Sequence, residues 1–324
     1  MVSKNTRRMA LMALAGIGLT GFAQAQPTSA YPDRSIELIV PYAAGGGTDA
    51  LARAFADVSR KYLKQSIVVN NKPGASGSIG WTDVINSKPD GYKLALVTVE
   101  LTFLNSLGLV KFTHDALTPI ARLNFDPSAV TVRADAPWNT IEEFLAASKK
   151  TPGEMRMGNA GNGSIWNLTA SALEDQAQVK FNQVPYQGAA PAVLALLGGH
   201  IDAVAVSPAE VGVHLAAGKL KMLAVMSDQR LKGFESTPTL KERGIDVSLG
   251  AWRGLAAPKG TPPEVIEILK VAAEKTAKDP AFIDSLQKLN LGYSYADNTA
   301  FKAQMVSDSD FYKKLIAKIG LKLQ

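Results

Sequence analysis

The chain reads as an α/β protein of two lobes, each a mainly parallel sheet flanked by helices, joined by a two-strand hinge. Three observations predict this. Strand-length apolar runs alternate with helical periodicities along most of the 324 residues. Two separate stretches repeat the order buried strand, glycine turn, helix, once around Gly45-Gly46-Gly47 and once around Gly161-Asn162-Gly163. Two long extended segments, near 120–133 and 247–257, each lead into a proline-bearing turn and a helix, as chain crossings between lobes would.

The first 25 residues stand outside that pattern. Lys4, Arg7 and Arg8 precede an apolar run over 9–20, and Ala23-Gln24-Ala25 is a small-x-small cleavage site. This is the layout of a secretory signal peptide. The run is too short for a membrane-spanning helix, which needs about 20 apolar residues. Arg7-Arg8 suggests twin-arginine export, but Ala10 stands where a bulky residue is expected, which favours general secretion. No cysteine follows the site, so a lipid anchor is excluded and a periplasmic protein cleaved near Ala25 is predicted. Cleavage takes the net charge from +6 to +3. No basic stripe with interleaved aromatics remains for nucleic acid, and the mild positive field suits small anions. Zero cysteines exclude disulfides, thiolate metal sites and cysteine catalysis.

The expected organisation is 1–25 signal peptide, 26–125 the first part of lobe 1, 126–249 lobe 2, and 250–324 the return to lobe 1. In lobe 1, a strand over 36–40 breaks at Pro41, and Leu51, Ala54, Phe55, Val58 and Tyr62 then recur at helical spacing. Strands follow at 67–70 and 94–97, separated by the small-residue loop 71–80, a helix through Val84 and the turn Pro89-Asp90-Gly91. Extended runs at 117–122 and 129–133 lead to a helix ending at Lys150. Lobe 2 carries strands at 155–159, 181–184, 203–206 and 223–226, with helices starting near Ser164, Gly188 and Pro208. A last crossing at 247–257 precedes a helix to Lys278.

The glycine loops carry the chemistry. Bare backbone N–H groups at a helix start, aided by the helix dipole, favour a small anion. Gly47 is followed by Thr48-Asp49 rather than Lys-Ser/Thr, which argues against a phosphate-binding P-loop, and the dinucleotide Gly-x-Gly-x-x-Gly order is missing. Gly74-Ala75-Ser76-Gly77-Ser78 fails the last position of a nucleophile elbow. A secreted α/β serine hydrolase using Ser76 or Ser164 remains the alternative. His114, His200 and His214 lack ligand spacing, so neither metal nor cofactor is expected.

Tyr31-Pro32-Asp33-Arg34-Ser35-Ile36, Val40 to Asp49, Asn71-Lys72-Pro73-Gly74-Ala75, Val184-Pro185-Tyr186-Gln187-Gly188 and Trp252 to Pro262 together closely resemble the Bug receptors. These are the extracytoplasmic solute-binding proteins of tripartite tricarboxylate transporters, and the likeness covers essentially the whole chain after residue 25. The resemblance implies a type II periplasmic-binding-protein fold, a non-enzymatic receptor, a small organic carboxylate ligand and hand-over to a tripartite tricarboxylate-type membrane permease, by a monomer. It places the ligand carboxylate on main-chain N–H groups and ordered water at Tyr42, Ala43, Gly46, Gly47, Thr48 and Asp49. Ala75 and Ser76 match the loop after the second strand, and Gly161, Asn162, Gly163 and Ser164 the opposite helix start. Ile165-Trp166-Asn167 departs from the family, many of whose members carry a histidine and a leucine there. Glu100, Thr102 and Asn105 follow the third strand, Asn105 being the favoured polar contact, and with Tyr186 and Pro208 they complete the expected cleft wall, while Trp252-Arg253 reads as hinge packing. Charge-assisted bonds from backbone donors are worth about 1.5–3 kcal/mol each. Micromolar capture needs only about 8 kcal/mol, so no arginine is required.

Overall fold

The protein is described by a computed structural model over residues 31–321. The expected signal peptide lies outside the described residues.

The chain begins with β1 (Ile36–Val40), α1 (Gly47–Leu63), β2 (Ile67–Asn71), α2 (Ser78–Ile85) and β3 (Lys93–Thr98). It crosses through β4 (Leu117–Pro127) and β5 (Ala129–Arg133) into α3 (Ile141–Lys150), β6 (Arg156–Asn159), α4 (Ile165–Ala177) and β7 (Asn182–Pro185). Then come α5 (Ala189–Leu197), β8 (Ala203–Val206), α6 (Pro208–Ala216) and β9 (Leu220–Val225). The return is β10 (Gly250–Pro258), followed by α7 (Pro263–Lys278), α8 (Pro280–Lys288), β11 (Tyr293–Ala296) and α9 (Asn298–Ile319).

Two sheets result, ordered β11-β4-β10-β3-β1-β2 and β7-β6-β8-β5-β9. Each contains a parallel βαβ run, β2-β1-β3 in one and β7-β6-β8 in the other. The strands that cross between lobes join antiparallel: β10 pairs that way with β3 and β4, and β5 with β8 and β9. Both sheets are therefore mixed, because a strand arriving from the other lobe enters against the run of its host sheet.

Side-chain periodicity explains the elements. α1 buries Leu51, Phe55 and Val58 along one face, and stops where Lys64 adopts a left-handed conformation. Burying Leu51 or Phe55 fully is worth about 1.5–3 kcal/mol each. They join Leu38, Val40, Leu96, Leu255 and Phe282 in one core. The other core is continuous from Phe103 and Trp252 to Phe144 and Leu168 in the second lobe. Trp252 packs edge-on against Phe301 at 4.9 Å and donates its indole N–H to Asp308 at 2.6 Å. It thereby ties the return crossing to α9.

The crossings pair antiparallel along their length, from Gly250 opposite Pro127 to Pro258 opposite Leu117, and stay bonded where they leave the sheet. Ser128 N–H donates to Leu249 C=O at 2.9 Å, beside Gly250. A Cβ on Gly250 would fall on the Asp126 carbonyl and within 2.6 Å of Pro127 Cα, both backbone atoms with no room to yield. Gly250→Ala should therefore cost about 1–3 kcal/mol, the usual range for overpacking. Urea unfolding measures this, and a loss below about 0.5 kcal/mol would show that the crossings relax freely.

Candidate functional site between two helix starts

The first glycine loop leaves its helix uncapped from within. Gly46 occupies the N-cap in an extended conformation, and no side chain of the loop bonds the first turn. Asp49 turns away, accepting from Gly45 N–H at 3.0 Å, Arg53 and Asn71. Burial alone would raise its carboxyl, but the Arg53, Gly45 and Asn71 bonds outweigh it and hold it below the usual carboxylate range. The Gly47 N–H instead donates to Glu210 Oε2 at 2.7 Å. Glu210 belongs to α6 in the opposite lobe.

The second loop repeats the arrangement with the lobes exchanged. Here the loop satisfies part of itself: Gly161 N–H donates to Asn159 Oδ1, Gly163 N–H to Asn167 Oδ1, and Asn167 N–H to Ser164 Oγ. The next donor, Ile165 N–H, reaches Glu100 Oε1 at 2.9 Å. Glu100 lies in the single turn Val99–Thr102 beyond β3, in the first lobe, and its other oxygen accepts from the Thr98 hydroxyl. Each helix start thus receives a carboxylate from across the cleft.

Arg253 on β10 holds one of these carboxylates in place. Its Nη2 lies 3.1 Å from Glu210 Oε1, its Nε donates to Thr48 Oγ1 at 2.8 Å, and its Nη1 pairs with Asp126. The guanidinium is 1% exposed. Burial raises both the Asp126 and Glu210 carboxyls, opposed by Arg253. The Tyr42 hydroxyl, pushed up by burial and then by Glu100, stands 3.5 Å from Thr98 Oγ1. A third link crosses nearby, from Ser76 Oγ to the Asn162 carbonyl at 2.5 Å. Ala75 and Ser76 are left-handed, at φ 45° and 52°, a costly conformation for non-glycine residues that sites tend to retain.

Two spaces lie along this seam. A small cavity of about 20 Å³, room for about one water, is bounded by Gly47, Thr48, Glu100, Trp166, Glu210 and Arg253. A larger one of about 340 Å³ is bounded by Ala75, Ser76, Gly161, Asn162 and Tyr186, and shares Tyr42 and Ala160 with the first.

Tyr42, Ala43, Gly46, Gly47 and Thr48 line the small cavity, and Ala75, Ser76, Gly161, Asn162 and Tyr186 the larger. Five expected residues face elsewhere. Asp49 braces its own loop, Gly163 and Ser164 complete the cap of α4, and Pro208 is buried at the first turn of α6. Asn105 is exposed and donates to the Val110 carbonyl, closing its own turn, so the polar wall beyond β3 is Glu100 instead. Sequence reasoning placed Glu100 on that wall but preferred Asn105, and it missed Glu210 and the cleft role of Arg253. One signal for Glu210 was present, since Ser207-Pro208-Ala209-Glu210 has the spacing of a capping box.

A sequence profile described as "Tripartite tricarboxylate transporter family receptor" matches residues 51–321. The chain belongs to that family. Its members are solute-binding receptors rather than enzymes, so the hydrolase alternative falls. Both serines it needed are already spent, Ser76 on Asn162 and Ser164 on its helix cap. A receptor of this family from Polaromonas, solved without ligand, is 60% identical over 89% of this chain and 99% of its own, with a TM-score of 0.67. The periplasmic binding protein BugD is 32% identical over 91% and 100%, at 0.87. MatC from Rhodopseudomonas palustris, solved with malate, is 25% identical over 88% and 100%, at 0.83. The two-lobed periplasmic-binding-protein fold is common to this chain and these relatives. No described helix is long and apolar enough to cross a membrane.

Proposed function

We propose that the cleft captures a small organic carboxylate in the periplasm, as a monomer, for delivery to a tripartite tricarboxylate-type membrane permease. One observation carries this reading: both helix starts hold a carboxylate group, each supplied by the opposite lobe. The backbone donors are thus matched to that chemical group, and a ligand carboxylate takes the seat of Glu210 on Gly47 when the lobes part. Tyr42, Ala43, Gly46 and Thr48 surround that seat, and the larger cavity at Ala75, Ser76, Gly161, Asn162 and Tyr186 accommodates the rest of the ligand. The malate in MatC supports the ligand class.

The test is a thermal-shift screen of refolded, ligand-stripped protein against carboxylates, sugars and phosphates. A ligand at 100 times its dissociation constant adds about 2.7 kcal/mol of stability. At least one carboxylate should raise the melting temperature. Shifts with sugars or phosphates alone would overturn the reading.

A further inference from the structure

Glu100 differs from the other buried carboxylates. Asp49 pairs with Arg53, Asp126 and Glu210 with Arg253, Glu174 with Lys180, and Asp279 with Lys61. Glu100 is 2% exposed, yet no described cation lies within ion-pair distance of it. Its bonds come from Ile165 N–H and the Thr98 hydroxyl, and the Tyr42 hydroxyl lies beside it. A carboxylate offers about four lone-pair positions, so acceptor capacity remains. A buried charge without a counter-charge is expensive, and one helix start supplies only a partial one.

The position of this unbalanced charge is informative. Glu100 forms part of the wall of the 20 Å³ cavity, opposite Gly47 and Thr48. The other charged groups on that wall, Arg253 and Glu210, are bonded to each other. With Asp126 behind Arg253, three buried carboxylates gather around one buried guanidinium. A ligand carboxylate that takes the seat of Glu210 on Gly47 still faces Glu100 across the cavity with no cation between them, and like-charge juxtaposition is strongly disfavoured. A protonated amine brings the missing charge and three donors.

We propose that Glu100 is the seat of a cationic nitrogen on the ligand, so that the solute is an amino-carboxylate rather than a plain mono-, di- or tricarboxylate. This rests on the carboxylate-receptor reading. The carboxylate end takes the first glycine loop, and the amine faces Glu100 across the small cavity.

Calorimetric titration of the ligand-stripped protein with pairs that differ by one protonated amine tests this: propionate and alanine, succinate and aspartate, glutarate and glutamate. In at least one pair the amino member should bind tenfold tighter or more. Glu100→Gln should bring that ratio within threefold. Equal or tighter binding of the unaminated member in every pair would overturn the proposal, as would a ratio unchanged in Glu100→Gln. The wild-type ratios decide the matter alone if that variant does not fold. Putrescine, which has no carboxylate, separates the two readings. Glu100-dependent binding of putrescine without any carboxylate binding would leave the amine seat standing and sink the carboxylate receptor. Binding by none of the probes would sink both.

Discussion

Replacing Arg253 by methionine is expected to destabilise the protein by about 3–5 kcal/mol, the cost of leaving buried charges without their partner. Methionine keeps much of the stem's volume, so the loss is electrostatic and not a matter of packing. Asp126 would retain only its bonds from Asn124 and the Gly292 N–H, and Glu210 only the Gly47 N–H. The pH dependence identifies the cause. Burial already raises both carboxyls, and removing Arg253 raises them further. An acid raised in the folded state binds more protons there than in the unfolded chain, so stability falls as pH rises through that interval. The deficit should therefore be larger at pH 7 than at pH 4, and Glu210→Gln in the same chain should recover part of it. Urea titrations at the two pH values measure this. A loss under 1 kcal/mol, or one that grows on acidification, would mean that Arg253 does not neutralise the cluster.

Gly47→Pro should weaken carboxylate binding on the order of 100-fold while leaving the fold intact, the upper end expected for losing one charge-assisted bond. Proline suits the first position of a helix, and the extended Gly46 before it is the conformation proline requires of its predecessor. The substitution deletes the N–H that holds Glu210. A Cβ at this position would also lie 2.9 Å from Glu210 Oε1, which pushes that side chain off the helix start. Circular dichroism checks the fold and calorimetry the affinity. Native-like spectra with unchanged affinity would remove the first glycine loop from the site.

The sequence carried the architecture and the exposed backbone donors of the two glycine loops, and the reason is locality. A glycine turn between a strand and a helix exposes donors through φ, ψ and missing side chains, all of which a few adjacent residues determine. The groups that meet those donors come from far away: Glu210 is 163 residues from Gly47, and Glu100 is 65 from Ile165. Glu210 shows the difficulty plainly. Its spacing from Ser207 predicts a reciprocal cap within α6, yet Ser207 makes no cap bond and its buried hydroxyl has no partner. Tertiary placement overrode a sound local pattern. Asn105 lines neither cavity for the converse reason: a polar residue after a strand was free to bond its own turn.

On the receptor reading, Glu210, which sits on Gly47 as part of the same chain, competes for that position as a tethered group. Tethering of this kind gives local concentrations on the order of millimolar or higher. On the receptor reading, a solute at micromolar levels has to outbind the resident group by roughly the ratio of those concentrations. Anions held at a single point would fall short of that threshold. Self-occupancy would then act as an affinity filter, admitting only solutes with a second point of attachment in the cleft.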